Sequence, residues 1–190
     1  GAKWVKPGGL VGSGKQGEQA FALYHRLLPS GDIAAAHRIL RADVKSRGGA
    51  LSTGIFGTQY LLDWLPAHGD WALAGGIVLH EGFPGWMHML ERGATTVWET
   101  WKESDDTYSA CHPMFGTCEQ WMMKRLAGIE IPADAVGCDR VRIDPHPVPG
   151  VTGVRASYRT PRGEIRVAWT REGGRMKTDV TLPAGVVRVK

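Results

Sequence analysis

The chain is poor in cysteine: three in 190 residues, at Cys111, Cys118 and Cys138, an odd number with no Cys-x-x-Cys spacing. That argues against a disulfide framework and a structural zinc site. The three read as free thiols, and for Cys111 and Cys118, one heptad apart, the expected role is that of small buried hydrophobes. No apolar run reaches membrane-spanning length, so no membrane partner is expected. The net charge of +4 comes from scattered Lys and Arg, without a basic cluster interleaved with aromatics. Nucleic-acid binding is therefore not expected. Seven histidines do not form a metal pair: His80 and His88 miss the i, i+4 spacing, and no metal or organic cofactor is expected. The opening Gly1-Ala2-Lys3-Trp4-Val5 has neither an initiator Met nor a signal-peptide pattern, so the start reads as internal to something longer. The compartment, cytoplasmic or periplasmic, stays open.

Phe and Tyr number four each, whereas Trp reaches eight, and 43% of the chain is hydrophobic. A core of ordinary size is affordable, and the Trp count fits either a carbohydrate surface or a large helical core. From Gln16 to about Gly128 the apolar period is helical, broken at Gly and Pro. Ala20, Leu23, Tyr24 and Leu27 share one face, and Ile33, Ala36, His37, Leu40 and Val44 share the next. Further helices are predicted over roughly 53–64 with Ser52 as a possible cap, over 70–79 with Asp70 as cap, and over 117–127 closed by Gly128. Short loops imply antiparallel helical hairpins. Beyond Ile131-Pro132 the period becomes that of strands. Ile165, Val167 and Trp169 alternate with Arg166 and Ala168, with hairpin turns at Pro161-Arg162-Gly163 and Glu172-Gly173-Gly174. The reading is α then β, multidomain, with residues 1–131 helical and 132–190 β.

Gly93-Ala94-Thr95-Thr96-Val97-Trp98-Glu99-Thr100-Trp101 sets one carboxylate among two indoles. A carboxylate there can act as general base on a water while indole faces stack on a pyranose ring. The alternative is a helix N-terminus, capped by Thr95 or Thr96, with core tryptophans. The acidic run Glu103, Asp105 and Asp106 that follows reads as a solvated loop.

Taken in order, these segments resemble the C-terminal part of the bacterial α-L-rhamnosidases, glycoside hydrolase family 78. Gly17 to Pro29 looks like the family's opening helix, and Leu51 to Thr58 is similar to its Leu-Ser-Thr-Gly-Phe-Gly-Thr segment. Gly82-Phe83-Pro84-Gly85-Trp86 resembles its Tyr-Pro-Ser-Trp turn, Gly93 to Trp101 its most specific signature, and His112 to Gly116 its Asn-His-Tyr-Ala-Phe-Gly segment. Glu119 to Ile129 resembles the helix that follows, and Arg140 to Lys190 its closing β-domain.

The resemblance implies part of an (α/α)6 barrel followed by an antiparallel β-sandwich, and hydrolysis of terminal α-L-rhamnosyl residues with inversion. Inversion requires two carboxyls roughly 6.5–9.5 Å apart. It implies that Glu99 is the general base and that His112 contacts the sugar; Trp98, Trp101 and Trp86 complete the substrate-binding set, with core packing an equal reading for Trp86. Thr53 and Phe56 read as packing residues, with a part in shaping the barrel mouth as the alternative. The implied partners are a rhamnose-containing glycoside or polysaccharide and the N-terminal half of the same polypeptide, or a companion chain, which would bring the general acid. Alone, the chain is expected to be inactive. Cys111 stands where the family has Asn, which keeps open another sugar specificity; a noncatalytic carbohydrate-binding fragment is the reading from a different class.

Overall fold

The computed structural model describes residues 4–102 and 109–190. The acidic run at Glu103, Asp105 and Asp106 lies outside the described residues. The chain divides into two compact units, Gly1–Cys118 and Glu119–Lys190.

In the first unit a small hairpin, β1 (Val5–Lys6) and β2 (Leu10–Val11), precedes five helices: α1 (Gln16–Tyr24), α2 (Ile33–Ser46), α3 (Ile55–Ala67), α4 (Trp71–Val78) and α5 (Trp86–Glu91). A 3-10 turn at Pro113–Gly116 leads into α6 (Thr117–Trp121), which continues into the second unit. Ala20, Leu23, Ala36, Leu40 and Val44 lie in the core, as their spacing predicts, and Leu61 and Leu65 of α3 join them. Tyr24 and Leu27 do not join it: α1 ends at Tyr24, and both side chains are exposed. The buried stripe of α1 runs through two glutamines instead. Gln19 donates to the carbonyls of Gly9 and Ala36, both at 3.1 Å, and accepts from the Val11 amide. Gln16 donates to the Ala50 carbonyl at 3.0 Å and accepts from the Ser52 amide at 2.8 Å. Their amide groups satisfy backbone that would otherwise be buried unpaired, which is why a polar residue fits there. α1 and α3 meet at glycines: a Cβ on Gly57 would lie 3.1 Å from the Gly17 Cα and 3.3 Å from the Thr53 Cβ.

The predicted caps are not used as such. The residue before α3 is Gly54, not Ser52, and Asp70 precedes α4 without a side-chain capping bond. Its carboxylate serves α2: Oδ2 lies 2.8 Å from His37 Nε2, and Oδ1 forms an ion pair with Arg41, 3.0 Å from its Nε, both without full hydrogen-bond alignment. The Trp64 indole N–H donates to His37 Nδ1 at 2.9 Å, which requires that nitrogen to be unprotonated. Burial holds the His37 pKa below the usual histidine range, with the Asp70 charge opposing it.

In the second unit the helical segment ends in a π turn over Met122–Leu126, then in Gly128. Gly128 has φ +78°, and a Cβ there would lie 2.3 Å from the Pro145 nitrogen, so only glycine fits. Two three-stranded sheets follow. One has order β3 (Ile129–Glu130), β4 (Arg140–Ile143), β8 (Val187–Val189); the other is the meander β5 (Gly153–Thr160), β6 (Gly163–Glu172), β7 (Arg175–Thr181). The meander is antiparallel throughout, with Ala156 and Val180 both opposite Val167. β3–β4 is antiparallel and β4–β8 parallel. Ile165, Val167 and Trp169 are buried as their alternation predicts, and the Trp169 indole donates to the Leu126 carbonyl at 2.8 Å.

Candidate active site

The segment that carries Glu99 is not a helix N-terminus. Residues 94–102 form an irregular loop that pairs with the returning segment 109–112. The Glu99 amide donates to the Ser109 carbonyl at 3.0 Å, the His112 amide to the Val97 carbonyl at 2.7 Å, and the Thr96 hydroxyl to the Ala110 carbonyl. Two of these links are main chain to main chain, and the Thr96 hydroxyl supplies the third instead of a helix cap. Ser109 closes the return: its hydroxyl donates to the Cys111 carbonyl at 2.8 Å and accepts from the Cys111 amide at 3.1 Å. Glu99 and His112 thus sit on paired stretches of one loop.

Glu99 is half-buried. His112 accepts at Nδ1 from the Met114 amide at 3.3 Å, capping the 3-10 turn. A backbone amide can only donate, so Nδ1 bears no proton and the neutral ring carries its hydrogen on Nε2. His112 can therefore offer a hydroxyl partner a donor at Nε2.

The tryptophans take different positions. Trp86 is 7% exposed and Trp98 8%, whereas Trp101 is half-buried. The Trp86 indole donates to the Phe115 carbonyl at 2.8 Å, and the Trp101 indole to the Thr53 carbonyl at 2.7 Å. Trp101 lies edge-on to Trp86, with centroids 5.1 Å apart, and against Phe115 at 3.9 Å. Three rings thus form one wall, held by the segment leading into α3, by α5 and by the turn before α6. Phe115 and the Thr53 carbonyl were not foreseen: a backbone carbonyl 48 residues away leaves no trace in local pattern. Phe56, expected to pack, is 63% exposed. Cys111 is exposed, contrary to the buried role expected of it, while Cys118 is buried as expected.

Among the described residues, no group of three or more His, Cys, Asp or Glu is placed to hold a metal ion. Chemically, the loop offers one carboxylate able to take a proton, one imidazole N–H and an aromatic wall. A domain of helical hairpins carrying such a loop, followed by a sheet domain, has the make-up of a six-hairpin glycosidase.

The comparisons agree. Residues 1–126 match the bacterial alpha-L-rhamnosidase 6 hairpin glycosidase domain, and residues 128–188 the bacterial alpha-L-rhamnosidase C-terminal domain. The chain belongs to the bacterial α-L-rhamnosidase family. It is 28% identical over 183 residues to an α-L-rhamnosidase of Alteromonas sp. (strain LOR), covering 91% of this chain and 20% of that protein. It is 29% identical over 188 residues to one from Streptomyces avermitilis, covering 95% and 18%. The crystal structure of the Streptomyces avermitilis α-L-rhamnosidase complexed with L-rhamnose superimposes with a TM-score of 0.88 at 27% identity, over 98% of this chain and 19% of that one. The chain spans about one fifth of the length of these relatives.

Proposed function

We propose that this chain forms part of the catalytic domain, and the C-terminal domain, of an inverting glycoside hydrolase acting on terminal α-L-rhamnosyl residues. The observation that supports the reading is the paired loop: backbone bonds join the stretches that carry half-buried Glu99 and His112, and Trp101, two residues past Glu99, is anchored to the Thr53 carbonyl. Glu99 takes the proton of a water attacking the anomeric carbon, and His112 Nε2–H donates to a sugar hydroxyl. Trp101 offers its half-buried ring to the apolar face of the pyranose. Trp86, nearly buried, backs that ring edge-on within the wall, and Trp98, also nearly buried, is assigned to the packing of the loop. Inversion needs a general acid on the other side of the glycosidic bond. We place that acid on a segment outside the chain, since the described residues offer Glu99 alone within the paired loop.

The same segment, from the N-terminal part of the polypeptide or a companion chain, is proposed to complete the helical domain. An apolar groove of about 890 Å³ between β2, α1 and α3, lined by Trp4, Val11, Phe21, Phe56 and Tyr60, supports this. Exposed apolar surface of that kind is what a neighbouring helical hairpin covers. We place the end of the catalytic domain near residue 131, a few residues beyond the start of β3 at Ile129.

The test is hydrolysis of an aryl α-L-rhamnoside by this chain with and without the complementing segment, with the first-formed anomer read by proton NMR. Turnover in the combined sample alone, releasing the β-anomer first, is expected. A folded combined sample without turnover would refute the rhamnosidase assignment, and α-anomer first would refute inversion.

A further inference from the structure

Thr53 and Thr58 are both buried, Thr58 completely. A buried threonine is a costly substitute for valine of the same shape unless its hydroxyl is satisfied. Here both are. The Thr58 hydroxyl donates to the Gly54 carbonyl at 2.8 Å, which uses its one hydrogen. The 2.7 Å contact between the two hydroxyls must then run from Thr53 to Thr58. The result is a directed chain, Thr53 to Thr58 to Gly54, wrapped around the entry of α3. The stretch leading into it is held from the other side by Gln16, which accepts from the Ser52 amide and donates to the Ala50 carbonyl. The Thr53 carbonyl receives the Trp101 indole at 2.7 Å. Gly57 packs against both Thr53 and Gly17, leaving the Thr53 side chain little room to relax.

We propose that Thr58 is a positioning residue of the candidate active site: by fixing Thr53 it aims the carbonyl that anchors Trp101, and so sets the ring that faces the sugar. A hydroxyl that merely closed the first turn of α3 would need only the Gly54 carbonyl. The second bond, from Thr53, is what links the helix entry to the aromatic wall. The importance of Trp101 to catalysis rests on the function proposed above; the anchoring itself does not.

The experiment is hydrogen exchange of the indole N–H groups in the full chain, read by ¹⁵N NMR, for the wild type, Thr58→Val and Thr58→Ser. In Thr58→Val the Trp101 indole is expected to exchange about tenfold faster or more, while that of Trp64, bonded to His37, stays unchanged. Thr58→Ser, which keeps the hydroxyl, restores the slow rate. With the complementing segment present, Thr58→Val raises KM for an aryl rhamnoside several-fold more than it lowers kcat. Unchanged exchange at Trp101 in folded Thr58→Val, or equal acceleration at Trp64 and Trp101, overturns the proposal. Should Thr58→Val fail to fold, Thr53→Val cuts the same link from the other side and is read by the same criteria. Absence of wild-type hydrolysis counts against the rhamnosidase reading alone, because the exchange measurement does not depend on turnover.

Discussion

Trp101 in the helical unit and Trp169 in the sheet unit are anchored by the same device, an indole N–H donated to a main-chain carbonyl at 2.7 and 2.8 Å. Their surroundings differ. Trp169 is 1% exposed between Ile165, Val167 and the end of the helical segment, so its ring is consumed by the core. Trp101 shares a wall with Trp86 and Phe115 yet keeps part of its ring open. An anchored indole is rigid in both places; only an anchored indole with an uncovered face can recognise a ligand. The contrast extends to the units themselves. The helical unit presents Trp4, Phe21, Leu27 and Phe56 to solvent around a groove, whereas the sheet unit turns a charged face outward, with Arg155, Arg166 and Lys177 on its meander.

Trp169→Ala should break the comparison most severely, since it empties a closed core: a loss of about 3–5 kcal/mol is expected, read from denaturant unfolding followed by far-UV circular dichroism. Trp101→Ala should cost clearly less stability and instead remove sugar affinity; equal stability losses would mean that Trp101 is a core residue like its counterpart. Gly57→Val comes next, at about 1–3 kcal/mol, because the added atoms meet the Gly17 backbone and Thr53. Its mark should be a melt of the helical unit that shifts while that of the sheet unit does not. Trp101→Phe should be the mildest, about 1 kcal/mol for the lost hydrogen bond with the ring retained, detected as weaker rhamnose binding in titration calorimetry.

A pH effect separates the units in another way. His37 has a folded pKa below its unfolded value near 6.5, so the unfolded chain takes up the proton more readily. The stability this contributes is complete above that unfolded value and is lost as pH falls through the folded one. Melting temperatures at pH 7.5 and 5.5 should show the helical unit losing stability on acidification, and His37→Gln should flatten that loss. An unchanged pH slope in His37→Gln would show that the Trp64–His37–Asp70 contacts do not set it.

Much of this was legible in the residues alone, for identifiable reasons. Gly and Pro punctuate the helices, and a strict alternation marks β6, so the main helices and the meander strands followed from period, whereas the β1–β2 hairpin and the short β3 and β4 did not. The register of β3, β4 and β8 did not, because each is short and its partner distant: Ile129 pairs with Ile143, and Val187 with Arg140. The burial of Gln16 and Gln19 leaves no mark in the local pattern, since a glutamine joins a core only where main-chain groups await it, and Ala36, Ala50 and Ser52 supply those from far along the chain. At the site, Glu99, His112 and the tryptophans stood out as side chains with chemistry. What holds them did not: Thr53 acts through its carbonyl, and the 97–112 pairing uses backbone that any sequence possesses.

The central claim, that Glu99 is the base of a rhamnoside-cleaving site, is tested most directly by Glu99→Gln in the chain combined with its complementing segment, with turnover and L-rhamnose binding measured on the same sample. The account predicts turnover reduced by about 10²–10⁴-fold with rhamnose affinity retained. Turnover close to wild type would contradict it.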